Sequence, residues 1–356
     1  MLIDRNANHH PQRPPVRARR TTLRPPVPAP EPITLPDVLV LAGGGIIGEA
    51  WMTGVLAGIE SAAGIDFRRC DALVGTSAGS IVCAHLAAGR SPRRPAAGLP
   101  EDLAAPADLD ETQQRAGQAL LVGGARIALG AAGRLGQRAL SPVAGAAVAA
   151  ARPGGALTRA ALLARLPRPS SDLSGLHDRI ARLGARFDGR LRVTAVDRRS
   201  GRRVVFGAPG APRASVARAV EASCTVPWQF APVMIGGREY VDGGVWSPTN
   251  LDVAPAGRDA QVLCLHPTAH FPATPGGALA AVRLFSKPAV AVEAAVLRRR
   301  GARVRVIGPN RDAGEAMGQD FMSAGRRADA LEAGFRQGLT LAGERAAGRA
   351  SATASA

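Results

Sequence analysis

The sequence predicts an α/β fold, in which buried strands run into helices through glycine turns. Residues 38–41 form a wholly apolar run, typical of a strand buried on both faces of a sheet. This strand passes through a glycine loop, residues 43–48, into a helix predicted over 49–62. A second strand is predicted at residues 70–74, which are apolar except for Asp71, and it enters a helix predicted over 78–88 through another glycine turn. This alternation of strand and helix indicates the fold class.

The remaining elements follow from periodicity and turn residues. A β-hairpin is predicted at 191–196 and 202–206, with Asp197 as a turn residue, and a short helix at 215–222. Two strands joined by a Gly-Gly turn are predicted at 232–235 and 238–242. Further strands are expected at 261–265 and 303–307, and helices at 111–121, 124–140, 157–166, 172–184, 277–300 and 322–346.

The composition divides the chain into a central domain and two tails. Residues 1–36 are rich in Arg and Pro without apolar periodicity, and we expect them to be disordered. The domain is expected over 37–346, with a helical insertion or cap over about 91–188. Residues 347–356 are expected to be a disordered tail.

The net charge of +17 comes almost wholly from arginine, since Lys287 is the only lysine. GC-rich codon usage explains such a bias; attraction to an anionic surface is the functional alternative. One Tyr and three Trp provide little base stacking, which argues against nucleic-acid binding. Four dispersed cysteines predict reduced core thiols and no metal site. No secretory signal or membrane-spanning run is recognised, so we expect a cytoplasmic protein, with peripheral contact at an anionic membrane as an option.

The turn after the second strand has the form of a nucleophile elbow. Gly75-x-Ser77-x-Gly79 places a serine between a buried strand and a helix. Gly75 and Gly79 leave room where a Cβ would strike a neighbour. The following helix directs its N–H groups, that of Ala78 first, toward the Ser77 oxygen. These features predict that Ser77 is a nucleophile for acyl transfer.

The glycine loop after the first strand has two interpretations. Gly43-x-Gly45-x-x-Gly48 fits a dinucleotide-binding turn, but no acidic residue ends the second strand to hold a ribose. The better interpretation is an oxyanion hole built from Gly43, Gly44, Gly45 and Gly48 with Ala78. Gly44 and Gly45 would present N–H groups from one side and Ala78 from the other, and side chains at 44 and 45 would block that approach.

The strand at 238–242 ends in Asp242-Gly243-Gly244. Such a triplet is usually only a turn, but this chain also has a serine that needs a base. A carboxylate within reach of Ser77 could accept its proton, and Gly243 and Gly244 would allow the two loops to approach closely. Asp242 is therefore the predicted proton acceptor.

Together and in this order, the three motifs at 43–48, 75–79 and 242–244 resemble those of the patatin-like phospholipases. The stretch from Ala222 to Pro227 and on to Val233 is also similar to the family's segment before its aspartate. The resemblance covers about residues 37–345. It implies a three-layer α/β/α sandwich with a mainly parallel central sheet, a modified α/β-hydrolase type. It also implies a Ser–Asp dyad without a catalytic histidine, no cofactor, and a lipid or other acyl ester as substrate.

One position departs from the family pattern, and three functional alternatives remain open. The family's loop commonly carries Arg or Lys before its last glycine, where this chain has Ile47; losing that charge would lower the rate or change the preferred headgroup. A Ser–Asp–His triad could use His266 or His270, which follow a late strand. The scaffold could instead serve a non-catalytic lipid- or partner-binding protein, or a soluble carboxylesterase or thioesterase.

Overall fold

The computed structural model describes residues 33–95 and 155–353, except 167, 228, 271–277 and 319. Several predictions fall outside the described residues. They are the helices at 111–121 and 124–140, most of the proposed insertion, and residues 1–32 of the tail.

Eight strands of the described residues form one sheet. They are β1 Val38–Leu41, β2 Ala72–Thr76, β3 Leu191–Asp197, β4 Arg203–Phe206, β5 Val233–Ile235, β6 Arg238–Asp242, β7 Gln261–Leu265 and β8 Arg303–Ile307. The order is β5-β6-β3-β2-β1-β7-β8, and β4 also pairs with β3. The pairings of β1 with β2 and β7, of β2 with β3 and of β7 with β8 are parallel, whereas the β3–β4, β3–β6 and β5–β6 pairs are antiparallel. The predicted hairpin and Gly-Gly turn are confirmed.

Helices cover both faces of this sheet. In the described residues they are α1 Gly45–Ala63, α2 Ala78–Ala87, α3 Gly155–Arg165, α4 Ser174–Arg182, α5 Val216–Cys224, α6 Ala278–Arg299, α7 Arg311–Met317 and α8 Arg327–Thr353. Short 3₁₀ turns lie at Phe67–Arg69, Gly243–Val245, Leu251–Val253, Pro267–His270 and Ala324–Arg326.

Alternate residues of the central strands pack into two separate cores. Leu39 and Leu41 of β1 join one core with α1, α2, α5 and α8, while Val38 and Val40 join another with α6. A strand buried on both sides is expected to be apolar throughout. The three-layer α/β/α arrangement with a mainly parallel sheet is thus confirmed.

Two helices have bounds that differ from the prediction by four residues or more, and one helix was not predicted. α1 begins at Gly45, not at 49, because the glycine loop already forms its first turn, with the Gly48 N–H donating to the Gly44 carbonyl over 2.9 Å. α7 was not predicted, although Asn310 caps it by accepting the Ala313 N–H at 2.9 Å. α8 starts at Arg327 and extends to Thr353, beyond the expected domain end at 346.

The carboxyl ends of β2 and β6 meet beside β3. Thr76 ends β2 opposite Thr194, and Asp242 ends β6 opposite the next residue, Ala195. The Arg190 carbonyl accepts from β2 and the Arg198 N–H donates to β6, whereas the Asp197 N–H donates toward β4. Successive residues of a strand point their N–H and C=O groups to opposite edges. β2 and β6 therefore pair with the same edge of β3, one after the other, and β4 pairs with the opposite edge. This arrangement brings residues 77 and 242 together although they are far apart in sequence.

Candidate active site

Ser77 has the backbone conformation that an elbow requires. Its φ is 50° and its ψ is −124°, a combination that a residue with a Cβ rarely adopts. Two serines hold it there: the Ser77 N–H donates to Ser223 Oγ at 2.8 Å, and Ser80 Oγ donates to the Ser77 carbonyl at 2.6 Å. The surrounding structure therefore fixes a strained turn, as is common at functional sites.

The flanking glycines are required by close backbone contacts. A Cβ on Gly75 would lie 2.4 Å from the Ser80 Cα, and one on Gly79 would lie 2.0 Å from the Leu41 carbonyl oxygen. α2 thus packs too closely against the end of β2 and against the end of β1 for a side chain at either glycine.

Asp242 brings a buried carboxyl to the serine. Its side chain is 6% exposed, and Oδ1 accepts the Gly244 N–H at 2.6 Å. Burial raises the pKa of Asp242 to about 6, against smaller opposing effects of hydrogen bonds from the Gly244 N–H and the Ser77 side chain. The Ser77 side chain is thus close enough to the Asp242 carboxyl to influence its pKa.

The turn after Asp242 uses its two glycines differently. A Cβ on Gly243 would lie 2.5 Å from the Thr194 carbonyl oxygen, so only glycine lets this loop approach β3. A Cβ on Gly244 would lie 2.9 Å from Asp242 Oδ1, the oxygen that its own N–H binds.

Some N–H groups of the glycine loop donate to protein acceptors among the described residues, and others do not. The Gly43 N–H donates to the Pro248 carbonyl at 2.9 Å, and that of Gly48 is bound within α1. Within the described parts of the chain, no hydrogen bond to a protein acceptor is recorded for the N–H groups of Gly44, Gly45 or Ala78. Of the five predicted oxyanion-hole positions, Gly43 and Gly48 therefore use their N–H groups within the protein.

Protein neighbours, rather than substrate, explain why residues 44 and 45 must be glycine. A Cβ on Gly44 would lie 2.8 Å from Pro267 Cβ, and one on Gly45, whose φ is +61°, would lie 2.6 Å from the Phe321 carbonyl oxygen. Ile47 is fully buried in the core, and its N–H donates to the same Phe321 carbonyl at 3.2 Å. In this chain, position 47 therefore faces the core.

His266 and His270 are the two histidines that a triad could use. His266 is buried, and its Nε2 lies 2.7 Å from Thr268 Oγ1. Gly244 and Ser77 lower the pKa of the Asp242 carboxyl against the effect of burial, and no histidine of the described residues acts on it. The side chain of His270 lies outside the described part of the chain.

Sequence reasoning missed the polar residues that support the two loops. Ser223 Oγ accepts the Ser77 N–H at 2.8 Å, and the Cys224 thiol, whose pKa is raised by burial, lies 3.9 Å from Ser80 Oγ. Asn250 lies between the loops that carry Ser77 and Asp242. The only available signal was that Ser223 and Cys224 stand in the family-like stretch before the aspartate; Asn250 had none.

Metal-ligand chemistry is not evident in this region. Within residues 33–95 and the described part of 155–353, no three His, Cys, Asp or Glu side chains are grouped as they would be around a metal ion. Burial raises the pKa of the Cys83 and Cys264 thiols, which keeps them protonated.

None of the helices in the described residues has the length and apolarity needed to cross a bilayer.

One family model and two solved structures are similar to this chain. The family model described as patatin-like phospholipase matches residues 39–255. No curated protein matches the chain significantly in sequence. Among solved structures, the chain is similar to VipD from Legionella pneumophila, with 15% identity over 87% of this chain and 67% of that one, and a TM-score of 0.41. It is also similar to the type III effector protein ExoU, with 15% identity over 88% of this chain and 54% of that one, and a TM-score of 0.31. From the family match, which spans more than half of its length, the chain belongs to the patatin-like phospholipases, a family of lipid hydrolases.

Proposed function

We propose that this protein hydrolyses acyl esters of phospholipids or related lipids with a Ser77–Asp242 dyad and releases a fatty acid. The observation that carries the proposal is a serine in a strained elbow beside a buried carboxyl whose pKa is raised to about 6, at the point where β2 and β6 meet on β3. A base with a pKa slightly below neutral is ionised at physiological pH and still accepts a proton readily.

Acylation begins as the Ser77 hydroxyl attacks the ester carbonyl carbon. Its proton passes to the Asp242 carboxylate, and the carbonyl oxygen becomes an oxyanion. The N–H groups of Gly44, Gly45 and Ala78 donate to this oxyanion, and the positive end of α2 stabilises it. Collapse of the tetrahedral intermediate breaks the ester bond, and the departing alcohol takes the proton from Asp242.

Deacylation repeats these steps with water. Asp242 accepts a proton from the water that attacks the acyl-serine, and the oxyanion is held by the same N–H groups. Ser77 then leaves with that proton, which frees the fatty acid and regenerates the dyad. Each step needs one base beside the serine, and Asp242 fills this role without a histidine.

The test is hydrolysis of a p-nitrophenyl ester and of mixed phospholipid vesicles by the full chain. Ser77→Ala should abolish both activities while the thermal unfolding temperature stays near that of the native protein. Retained hydrolysis in Ser77→Ala would contradict the proposal. Cytoplasmic location, contact with an anionic membrane surface and the absence of nucleic-acid partners stay predictions of the sequence.

A non-catalytic lipid-binding role is the second candidate, supported by the net charge of +17. Binding to anionic vesicles without release of fatty acid by the native chain would favour it. Comparing fatty-acid release with vesicle co-sedimentation in the same samples separates the two functions.

A further inference from the structure

The side chain of Asn250 lies between the turn that carries Ser77 and the loop that begins at Asp242. Asn250 is fully buried, and its φ of 47° lies in the left-handed region. It stands eight positions after Asp242, outside every motif recognised in the sequence.

Its amide nitrogen has four acceptors within reach. Nδ2 lies 3.1 Å from Thr76 Oγ1, 3.3 Å from Thr194 Oγ1, 3.2 Å from the Gly243 carbonyl and 2.6 Å from the Ser247 carbonyl. An amide nitrogen has two hydrogens, so these contacts are shared.

The orientation of the amide is fixed from its other side. Asn250 Oδ1 accepts from Arg203 Nη1 at 3.1 Å, and a guanidinium can only donate. Arg203 is itself held by a two-pronged ion pair with Asp252, at 2.7 and 2.8 Å. The donor end of the amide must therefore point at the threonine pair and the Gly243 carbonyl.

The residues that Asn250 binds are adjacent to the two reactive groups. Thr76 directly precedes Ser77, and Gly243 directly follows Asp242. Thr76 and Thr194 also bind each other, with their Oγ1 atoms 2.8 Å apart, at the point where β2 ends. One amide thus links the end of β2, the end of β6 and the strand that pairs with both.

We propose that Asn250 is a positioning residue that sets the separation between Ser77 Oγ and the Asp242 carboxyl, an inference that rests on the proposed hydrolase function. It touches neither the substrate nor the reacting atoms. Its effect is on the attack geometry, where a misplacement of about 1 Å can cost on the order of 100-fold in rate.

A simpler explanation is that Asn250 only supplies a left-handed residue to the turn. Asn tolerates positive φ better than most residues, and Gly adopts it freely. Asn250→Gly therefore keeps the backbone conformation and removes only the amide. Asn250→Asp keeps the shape and size but replaces the donating nitrogen with an acceptor that faces two carbonyls.

The experiment measures kcat and KM for a p-nitrophenyl ester in Asn250→Gly, Asn250→Asp and Thr194→Val. The last variant keeps the β-branched shape on β3 and removes one acceptor, which covers the case in which an Asn250 variant does not fold. We expect kcat to fall on the order of 100-fold in Asn250→Gly and about tenfold in Thr194→Val, with KM changed by less than about threefold.

Gln337→Glu is the matched control. Gln337 is also a buried amide, which accepts the Trp51 Nε1–H at 2.9 Å and donates to the Gly308 carbonyl at 2.8 Å. This variant should lower the unfolding temperature and keep the native kcat, since it contacts neither loop.

The outcomes separate the two proposals. Native kcat in folded Asn250→Gly, with Ser77→Ala inactive, would overturn the positioning role and leave the hydrolase function intact. Activity in Ser77→Ala would overturn the hydrolase function itself. An equal loss of kcat in Gln337→Glu would mean that the effect is one of general stability, which also contradicts the positioning role.

Discussion

Replacing Asp242 by Asn should inactivate the protein and at the same time stabilise its fold near neutral pH. The folded structure holds this carboxyl at a pKa of about 6, compared with an ordinary value of 3.8. Such a carboxyl favours the folded state fully below pH 3.8, and this contribution is lost as the pH rises through about 6. Asn carries no proton to lose, so the variant does not incur the cost of a buried charge.

The size of the gain follows from the pKa difference. Two pKa units correspond to about 3 kcal/mol, which is the upper limit of the gain expected for Asp242→Asn above pH 7. The gain should shrink to near zero below pH 4. The Asn side chain can still accept the Gly244 N–H, so no backbone donor is left without a partner.

Urea unfolding of the full chain at pH 8 and pH 4.5, with ester hydrolysis at pH 8, measures both effects. Asp197→Asn is the control, because Asp197 is equally buried but binds Arg238 Nη1 at 2.6 Å and the Ser200 N–H at 2.8 Å. That variant should lose stability at pH 8. Asp242→Asn that is less stable than the native chain at pH 8, or that keeps its activity, would refute the reasoning.

Three further predictions concern the pH dependence, the histidine and the packing of the helices. The kcat/KM of the native chain should rise with pH to a plateau with a midpoint of about 6, since Asp242 must be ionised to accept a proton; a profile that falls through this range would contradict its role as base. His266→Ala should keep kcat within about threefold in the same assay, and a loss of 1,000-fold or more would indicate a triad. Gly338→Ala should lower the free energy of unfolding by about 1–3 kcal/mol, since its Cβ would lie 2.3 Å from the Val55 carbonyl oxygen. Gly343→Ala in the same helix meets no atom within 4 Å and should be neutral or stabilising by up to about 1 kcal/mol; equal losses in urea unfolding would refute the packing argument.

The elements with strong local signals could be predicted from the sequence. The apolar run of β1, the elbow around Ser77 and the Gly-Gly turn before β6 each depend on residues within a few positions of one another, so local pattern reveals them. Ser77 was predicted from the elbow pattern, and Asp242 was predicted because it ends a strand in a chain whose serine needs a base.

Long-range contacts could not be read from the sequence. The meeting of β2 and β6 depends on how both pair with β3, and neither strand encodes that register by itself. The same holds for Gly44 and Gly45, whose need for glycine arises from Pro267 and Phe321, more than 200 positions away. Asn250 was missed because a polar residue in a loop of Ser, Pro and Thr looks solvent-exposed, whereas its neighbours bury it completely.

The close packing of α1 and α8 is a further example. Gly54 and Gly58 of α1 face Gly334 and Gly338 of α8, and a Cβ on any of the four would lie 2.2–2.4 Å from a backbone oxygen of the other helix. α8 lies beyond the residues matched by the family model, yet it completes the core that packs against α1, the helix that begins in the glycine loop. The spacing of the glycines within each helix does not reveal that the two helices pack against each other.

Covalent labelling tests the central claim most directly. A fluorophosphonate reacts with a serine only when a base and an oxyanion site activate its hydroxyl. We expect the native full chain to form a single adduct that peptide mass spectrometry assigns to Ser77, with no labelling of Ser77→Ala and a greatly slowed reaction in Asp242→Asn. A folded native chain that stays unlabelled, or that carries the adduct on another residue, would contradict the account.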